Sequence, residues 1–450
     1  MLKKIFKLFL VLFAVLVFLC VVVFVIPSLR PDIPPPDDSH LKVEIPDIPE
    51  EENAYNVIFE SVANLDREAK NELEIFSNES IYDVPPETIE RLMSKYSDRL
   101  KLLEKASTLS HSFAPIGVRD YITDKSSEKD DDGSLPDELY IGYLVKILVA
   151  DAYHRFSLDD FKESTIRFSR IVQLSYRIRE SAEIISYSLG TSVKCSVLYA
   201  LNMLVSKHEI PHGRMFEWIN SVGDYMKNDE DFKLSFKKEY QWQIQMMEKT
   251  FNDFTEKTIK EEKMSKEKLL KYTNVWFKYN RTKKEIIDHY TAMLLNVDRN
   301  FSKMDFSMPC NIGDNSVFLS FVKTWFTTGN VVGEVWCDTF TFGVYYYAFL
   351  HVRFGDLLVD GLRIRLALLA YEKQNGVLPD SLDELVPEFL SEIPEDPFDG
   401  KQIRYDREKG IIYSVGENLV DDGGEAKIFV FDDADFNKKK AEKDYVISIH

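Results

Sequence analysis

The chain has 450 residues, of which 45% are hydrophobic and 13% aromatic, and its formal net charge is −19. This composition supports packed cores and excludes a wholly disordered chain, while the acidic balance argues against a nucleic-acid backbone or an anionic lipid surface as the main partner. The length predicts two or three domains. The first 30 residues differ from the rest, because they contain Lys3, Lys4, Lys7 and Arg30 and no acid.

An uninterrupted apolar segment follows these lysines. Leu8 to Ile26 are 19 consecutive apolar residues, and a helix of that length spans the hydrocarbon core of a bilayer, which is about 30 Å thick. The positive-inside rule places the preceding lysines in the cytoplasm. We therefore predict a cytoplasmic tail at 1–7, a single-pass transmembrane anchor at 8–26, and an extracytoplasmic remainder, periplasmic or on the cell surface. The alternative, a cleaved signal peptide, needs a small-x-small cleavage site, which Val25-Ile26-Pro27-Ser28 does not offer.

Residues 27–50 are rich in proline. Prolines stand at positions 27, 31, 34, 35, 36, 46 and 49. Because proline fixes φ and favours extended geometry, this composition predicts a stiff stalk between membrane and folded part. A disordered connector is the alternative.

Residues 51–360 show mostly the 3.6-residue period of helices. Apolar residues at helical spacing predict the buried face of one helix: Phe236, Tyr240, Ile244, Met247, Phe251 and Phe254. Leu144, Leu148 and Ala152 predict the buried face of an earlier helix. A further helix is predicted to start after Ser157, with Ser157 or Asp159 as its N-cap. Residues 136–206 weakly resemble tetratricopeptide-type helical hairpins, which would form a groove for a partner peptide; a helical bundle without a groove is the alternative.

This helical part carries no recognisable catalytic motif. The chain has no glycine-rich phosphate loop, no GxSxG elbow, no HExxH and no cysteine or histidine pair with zinc spacing. We therefore predict no catalytic residues. Cys195 is predicted to be a buried thiol, and Cys310 and Cys337 are the candidates for one disulfide in an oxidising compartment.

From residue 361 to 450 the pattern predicts a small α+β domain. A helix with Ile364, Leu368 and Tyr371 on one face ends at Asn375-Gly376, and Asp380 or Ser381 caps a short helix. After the prolines that follow, the period changes to 2. It predicts strands near 403–405, 411–415, 428–431 and 445–449, forming an antiparallel sheet.

The segment LALLAYEKQNGVLPDSLDELVPEFLSEIPEDPFDGKQIRYD, followed by IIYSVGENLVDDGG, resembles the globular domain of type II secretion major pseudopilins. The resemblance covers about 361–436. It rests on Ala367 to Tyr371, Gly376, Pro379, Leu382, Leu385, Pro394, Asp396, Pro397, Gly400, Tyr405, Ser414, Gly416 and Asp421 to Gly424. Residues 1–26 contain no glycine and no acid, so the leader and the glutamate needed for pseudopilin processing are missing. The layout as a whole resembles single-pass bacterial envelope proteins that carry this module at their C-terminus.

The resemblance implies a calcium site in the acidic loop that follows the second strand. The candidate ligands are Asp421, Asp422, Asp432, Asp433 and Asp435. Calcium is bound by six to eight oxygens, which clustered carboxylates on loops supply. Residues 380–435 hold 17 acids and 5 bases, so self-repulsion makes a bound cation favourable there. The alternative is a solvated acidic surface.

The predicted fold class is mainly α: a transmembrane helix, a helical bundle or degenerate helical repeat, and a small C-terminal α+β domain. The predicted function is that of a membrane-anchored, extracytoplasmic structural or interaction protein of the bacterial envelope, linked to secretion or surface assembly. Its partners would be the membrane and an envelope protein, not nucleic acid. The alternatives are an envelope hydrolase with a dispersed site and an atypical pseudopilus component.

Overall fold

The structure is a computed structural model. It describes residues 31–44, 46–74, 84–114, 137–158, 160–180, 184–208, 217, 229–263, 265, 277–306, 330, 332–333, 336–337, 344–425, 428–429 and 444–450. The predicted anchor at 8–26 lies outside these residues.

The described part is mainly helical, as predicted, and contains ten α-helices. They are α1 (Ala54–Val62), α2 (Arg67–Leu73), α3 (Pro86–Lys95), α4 (Ser97–Thr108), α5 (Asp137–Ser157), α6 (Phe161–Glu180), α7 (Ile184–Lys207), α8 (Asp229–Glu262), α9 (Tyr279–Val297) and α10 (Val344–Asn375). Short 3₁₀ turns span Ser39–Leu41, Glu50–Glu52, Phe301–Lys303 and Leu382–Leu385.

A small sheet follows α10, as predicted. Its strands are β1 (Arg404–Asp406), β2 (Ile411–Ser414), β3 (Ile428–Phe429) and β4 (Tyr445–Ser448), in the order β1-β2-β4-β3. β1 pairs with β2 and β2 with β4 in antiparallel fashion, while the short β3 pairs with β4 in parallel. The antiparallel expectation therefore holds for three strands.

The chain forms two compact units. Of the described residues, unit 1 comprises those within Met1–Val43, Lys237–Leu295 and Asp305–Tyr345, and unit 2 those within Glu44–Phe236, Asn296–Met304 and Tyr346–His450. In unit 2, helices α5, α6 and α7 pack pairwise against one another. Their facing side chains, among them Leu144, Leu148 and Ala152, are buried as predicted.

Several helix ends lie where local sequence predicts them. α10 ends at Asn375, and Gly376 follows with φ of 79°, the left-handed conformation that glycine adopts without a Cβ penalty. Ser381 forms a capping box with Glu384 at the start of the next 3₁₀ turn.

One predicted cap is wrong. Ser157 is the last residue of α5, and α6 begins only at Phe161. The side chain of Asp160 accepts a hydrogen bond from the Glu163 N–H at 3.4 Å, so Asp160 caps α6. The other predicted cap, Asp159, lies outside the described residues.

The stripe predicted for α8 is buried over its first four members. Phe236, Tyr240, Ile244 and Met247 are at most 9% exposed, whereas Phe254 is 54% exposed. The amphipathic pattern therefore continues beyond the part of α8 that is packed.

One described helix, α7, is long and apolar enough to cross a membrane, but 67% of its most apolar window is buried within the fold. Since α7 packs against α5 and α6 and carries the buried Cys195, it is built as a core helix. Its hydropathy is that of an element surrounded by protein on most sides.

Residues 31–43, which belong to the predicted proline-rich stalk, are held against α8 and α9 within unit 1. The Asp32 carboxylate accepts the backbone N–H groups of Asn280 at 2.8 Å and Arg281 at 3.1 Å, which are otherwise unpaired at the start of a helix. The Asn280 side chain donates in turn to the Ile33 carbonyl at 2.8 Å, and Leu41 is fully buried. The hydrogen bonds to the start of α9 and the buried side chain of Leu41 thus hold residues 31–43 within unit 1, although their composition suggests an extended spacer.

The close contact of α6 and α7 depends on Gly190. A Cβ at this position would lie 2.5 Å from Arg179 Cγ, 2.7 Å from the Ser175 carbonyl oxygen and 2.9 Å from the Arg179 nitrogen. Two of these atoms belong to the backbone of α6, so the helices themselves must separate to admit a methyl group. We expect Gly190→Ala to lower the free energy of unfolding by about 2 kcal/mol, measured by thermal or urea unfolding.

The matched control is Gly142→Ala, also within a helix of the same bundle. The added Cβ would meet only Leu189 Cδ1, at an ordinary 3.4 Å, so helix propensity should make this change neutral or stabilising by up to about 1 kcal/mol. Equal destabilisation by both changes would contradict the steric explanation.

Candidate functional site

The predicted calcium ligands are only partly within the described residues. Asp421 and Asp422 lie in the loop after β2, whereas Asp432, Asp433 and Asp435 fall outside the described part of the chain. Whether the five carboxylates converge therefore stays a prediction.

The Asp421 side chain of this loop already has protein partners, and the backbone of Asp422 is hydrogen-bonded to Asp444. Asp421 Oδ1 accepts the Gly423 N–H at 3.0 Å, and its Oδ2 lies 3.5 Å from Nε of Arg404. The buried Asp444 accepts the N–H groups of Asp422 at 3.1 Å and Gly424 at 2.8 Å. Arg404 thus supplies positive charge beside Asp421, and no set of three metal-ligating side chains is assembled among the described residues.

A cavity in unit 1 brings together polar groups that no sequence pattern singles out. It has a volume of about 200 Å³ and is lined by Asp38, Lys42, Tyr240, Gln241, Ile244, Gln245 and Lys283. We call it the Asp38 cavity. Residues 31–43, which we call the docked segment, contribute Asp38 and Lys42. Helix α8 contributes the tyrosine, the isoleucine and both glutamines, and α9 contributes Lys283.

Asp38 is the centre of this cavity. Its carboxylate accepts the Tyr240 hydroxyl at 2.7 Å and lies 2.8 Å from Nζ of Lys283 and 3.2 Å from Nζ of Lys42. Asp38 is 7% exposed and Tyr240 is 1% exposed. The turn Ser39–Leu41 begins directly after Asp38, and its buried Leu41 holds the carboxylate at this depth.

The electrostatics of the cavity hold its groups in fixed protonation states. Burial by itself would raise the pKa of Asp38, but hydrogen bonds from Lys283, Tyr240 and Lys42 outweigh it and keep that pKa well below its usual range. Burial and the adjacent Asp38 carboxylate raise the pKa of Tyr240 well above its usual range. At neutral pH Asp38 is therefore ionised and Tyr240 protonated, and neither is close to titration.

A second buried charged group lies in unit 2. Lys194 on α7 is 2% exposed, and its Nζ is 4.0 Å from the carboxylate of Asp356 on α10. Arg353 Nη1 lies 3.2 Å from the same carboxylate, and its Nη2 donates to the Val297 carbonyl at 2.6 Å. Burial lowers the pKa of Lys194, and Asp356 opposes that effect. These charges are engaged with one another and connect α7, α9 and α10, so they act within the core.

No local sequence pattern predicts either of these two charged groups. Tyr240 and Asp38 are 202 residues apart, so no local spacing links them. The one available signal was Lys194, a charge within a long apolar helix, since such a charge is rarely buried without a partner.

Comparison with known protein families, with curated proteins and with solved structures finds no match to this chain. The likeness of residues 361–436 to pseudopilins and that of residues 136–206 to helical repeats therefore remain resemblances on the quoted residues. The candidate site is accordingly argued from its geometry alone.

Proposed function

We propose that this chain is a single-pass membrane protein of the bacterial envelope whose extracytoplasmic part acts by binding, as an interaction or structural component linked to secretion or surface assembly. The anchor is the apolar segment Leu8 to Ile26, with the preceding lysines in the cytoplasm. The calcium site of the C-terminal module belongs to the same proposal, through the resemblance to pseudopilins.

The observation that carries the binding role is the geometry of the Asp38 cavity. The Asp38 carboxylate is held by the Tyr240 hydroxyl and by the ammonium groups of Lys42 and Lys283. Polar groups that are fixed before a ligand arrives favour recognition, because little conformational freedom is lost on binding.

The docked segment supports a position close to the membrane. Five residues, 27–31, separate Ile26 from Asp32, and Asp32 is bonded to the start of α9. A chain of this length spans at most about 20 Å. Unit 1 would therefore lie beside the bilayer, in contrast to a domain at the end of a long stalk.

The first test is the N-terminus of the protein isolated from membranes. Mass spectrometry is expected to recover the intact N-terminal segment, including Lys3 and Lys4, because no cleavage site follows the apolar residues. A mature N-terminus near Ser28 would overturn the anchor.

A crosslinking pull-down from the same membranes tests the interaction role. Secretion-machinery components recovered with the full chain, but not with a bait of residues 1–50 alone, would support a binding role for the folded part. Equal recovery with both baits would contradict that role, because the anchor and stalk would then suffice.

A further inference from the structure

We propose that the Asp38 cavity binds the phosphate of a small phosphate ester, with the headgroup of a membrane phospholipid as its source. This inference deepens the proposed function: the choice of a membrane lipid as the source of the phosphate rests on the proposed membrane anchor. The phosphate-binding chemistry itself depends only on the cavity.

The two ammonium groups of the cavity offer hydrogen-bond donors to an anion. Lys42 and Lys283 both contact the single Asp38 carboxylate, so the three groups together carry one excess positive charge. An ammonium has three N–H donors, and the contact with Asp38 uses only part of this capacity. Lysine ammonium groups bind phosphate oxygens as point charges.

The two lysines differ in a way that suits a ligand site. The Lys283 side chain is 19% exposed and lies in the wall, whereas the Lys42 side chain is 63% exposed and reaches Asp38 from the surface. Glu248, further along α8, accepts the Tyr279 hydroxyl and adds negative charge near Tyr240, so the two lysines must supply the attraction for an anion. Gln241 and Gln245 add amide groups to the lining.

The size of the cavity selects a small ligand. Its volume of about 200 Å³ is below the 300–1,000 Å³ or so of sites for drug-sized molecules. It is suited to a phosphate with a short polar substituent, which is the size class of a phospholipid headgroup. The isoleucine in the lining, Ile244, is the one apolar side chain among these residues.

The position of the cavity in the chain favours the bilayer as the source. Asp38 lies 12 residues after the end of the apolar segment at Ile26, and the chain between them spans at most about 40 Å. Because Asp32 is already docked on α9, the path from the membrane to unit 1 is shorter still. Headgroups are therefore the phosphate esters at highest local concentration near the cavity.

The test measures equilibrium binding of three probes to the detergent-purified full chain: a labelled dihexanoyl phosphatidylethanolamine below its micelle concentration, sn-glycerol 3-phosphate, and inorganic phosphate. Lys42→Met and Lys283→Met are each expected to weaken binding about tenfold or more, because each removes a charged donor. Lys42 is a surface side chain, so its variant keeps the test valid if Lys283→Met fails to fold. The matched control is Lys284→Met, the exposed neighbour on α9 that pairs with Asp288.

The outcomes separate the two sources of phosphate. Lysine-dependent binding of the lipid that exceeds binding of glycerol phosphate supports a headgroup site. Equal lysine-dependent binding of both supports the phosphate site and assigns it to a soluble ester. If no probe binds in a lysine-dependent manner, or if Lys284→Met weakens binding as much, the proposal is overturned. An intact N-terminus by mass spectrometry would leave the anchor standing in that case, so the two failures are distinguishable.

Discussion

Asp396→Ala is expected to lower the free energy of unfolding by about 3–5 kcal/mol, the range for breaking a buried ionic and hydrogen-bonded group. Asp396 is fully buried. Its carboxylate accepts the Phe398 N–H at 2.9 Å, the Ser414 hydroxyl at 2.8 Å and the Val415 N–H at 3.0 Å, and it lies 2.6 Å from Arg404 Nη1. Removing it leaves two backbone donors and a hydroxyl without this acceptor, inside a small α+β module.

The measurement is urea unfolding of the full chain together with hydrogen exchange at the amides of β2 and Val415. Glu395→Ala is the control, because Glu395 is the exposed neighbour in the same loop and should change stability by less than about 0.5 kcal/mol. Faster exchange confined to the module would locate the effect. A loss of less than about 1 kcal/mol in Asp396→Ala would show that Asp396 is not the hub of this loop.

Arg365→Met is expected to destabilise the chain by about 3 kcal/mol, because the buried acceptors on Ile449 and Asn202 and the Ser206 hydroxyl lose their donor. Arg365 is 1% exposed. Its Nε donates to the Ile449 carbonyl, its Nη1 to the Asn202 carbonyl and its Nη2 to the Ser206 hydroxyl, each at 3.0 Å. Burial lowers the pKa of Arg365 to about 10, so the guanidinium remains charged at neutral pH.

The control for Arg365 is Lys373→Met, an exposed position on the same helix. Thermal unfolding should show little change in the control, whereas Arg365→Met should also speed hydrogen exchange in β4. Unchanged protection of β4 would mean that the bond to Ile449 does not hold the last strand in place. The side chain of Arg365 would then act only between α10 and α7.

In the C-terminal module, several structural features can be predicted from local sequence. The helix end at Gly376, the Ser381 cap and the strands around Gly410 all follow from residues within a few positions of each other, and all were predicted. The beginning of α10 was not, since the helix expected from about residue 361 starts at Val344. Three consecutive residues cannot share one helix face, and in α10 Tyr345 is 2% exposed while Tyr347 is 64% exposed.

The candidate site could not be found in this way. From the sequence pattern, Asp38 is predicted to belong to a proline-rich spacer, and Tyr240 to the apolar face of a helix. Only the docking of residues 31–43 on α8 and α9 places the Asp38 carboxylate against Tyr240 and Lys283. The same holds for Arg365, whose partner Asn202 is 163 residues away.

The sequence by itself therefore determined the helical class, the small sheet with its caps and turns, and the prediction of an anchor at residues 8–26. These follow from periodicity, turn chemistry and charge over short stretches of chain. The tertiary structure decided which charges are buried, which of them meet, and that residues 31–43 belong to a packed unit. Burial and electrostatic pairing depend on contacts between residues that are distant in sequence. A local sequence pattern therefore does not predict these contacts.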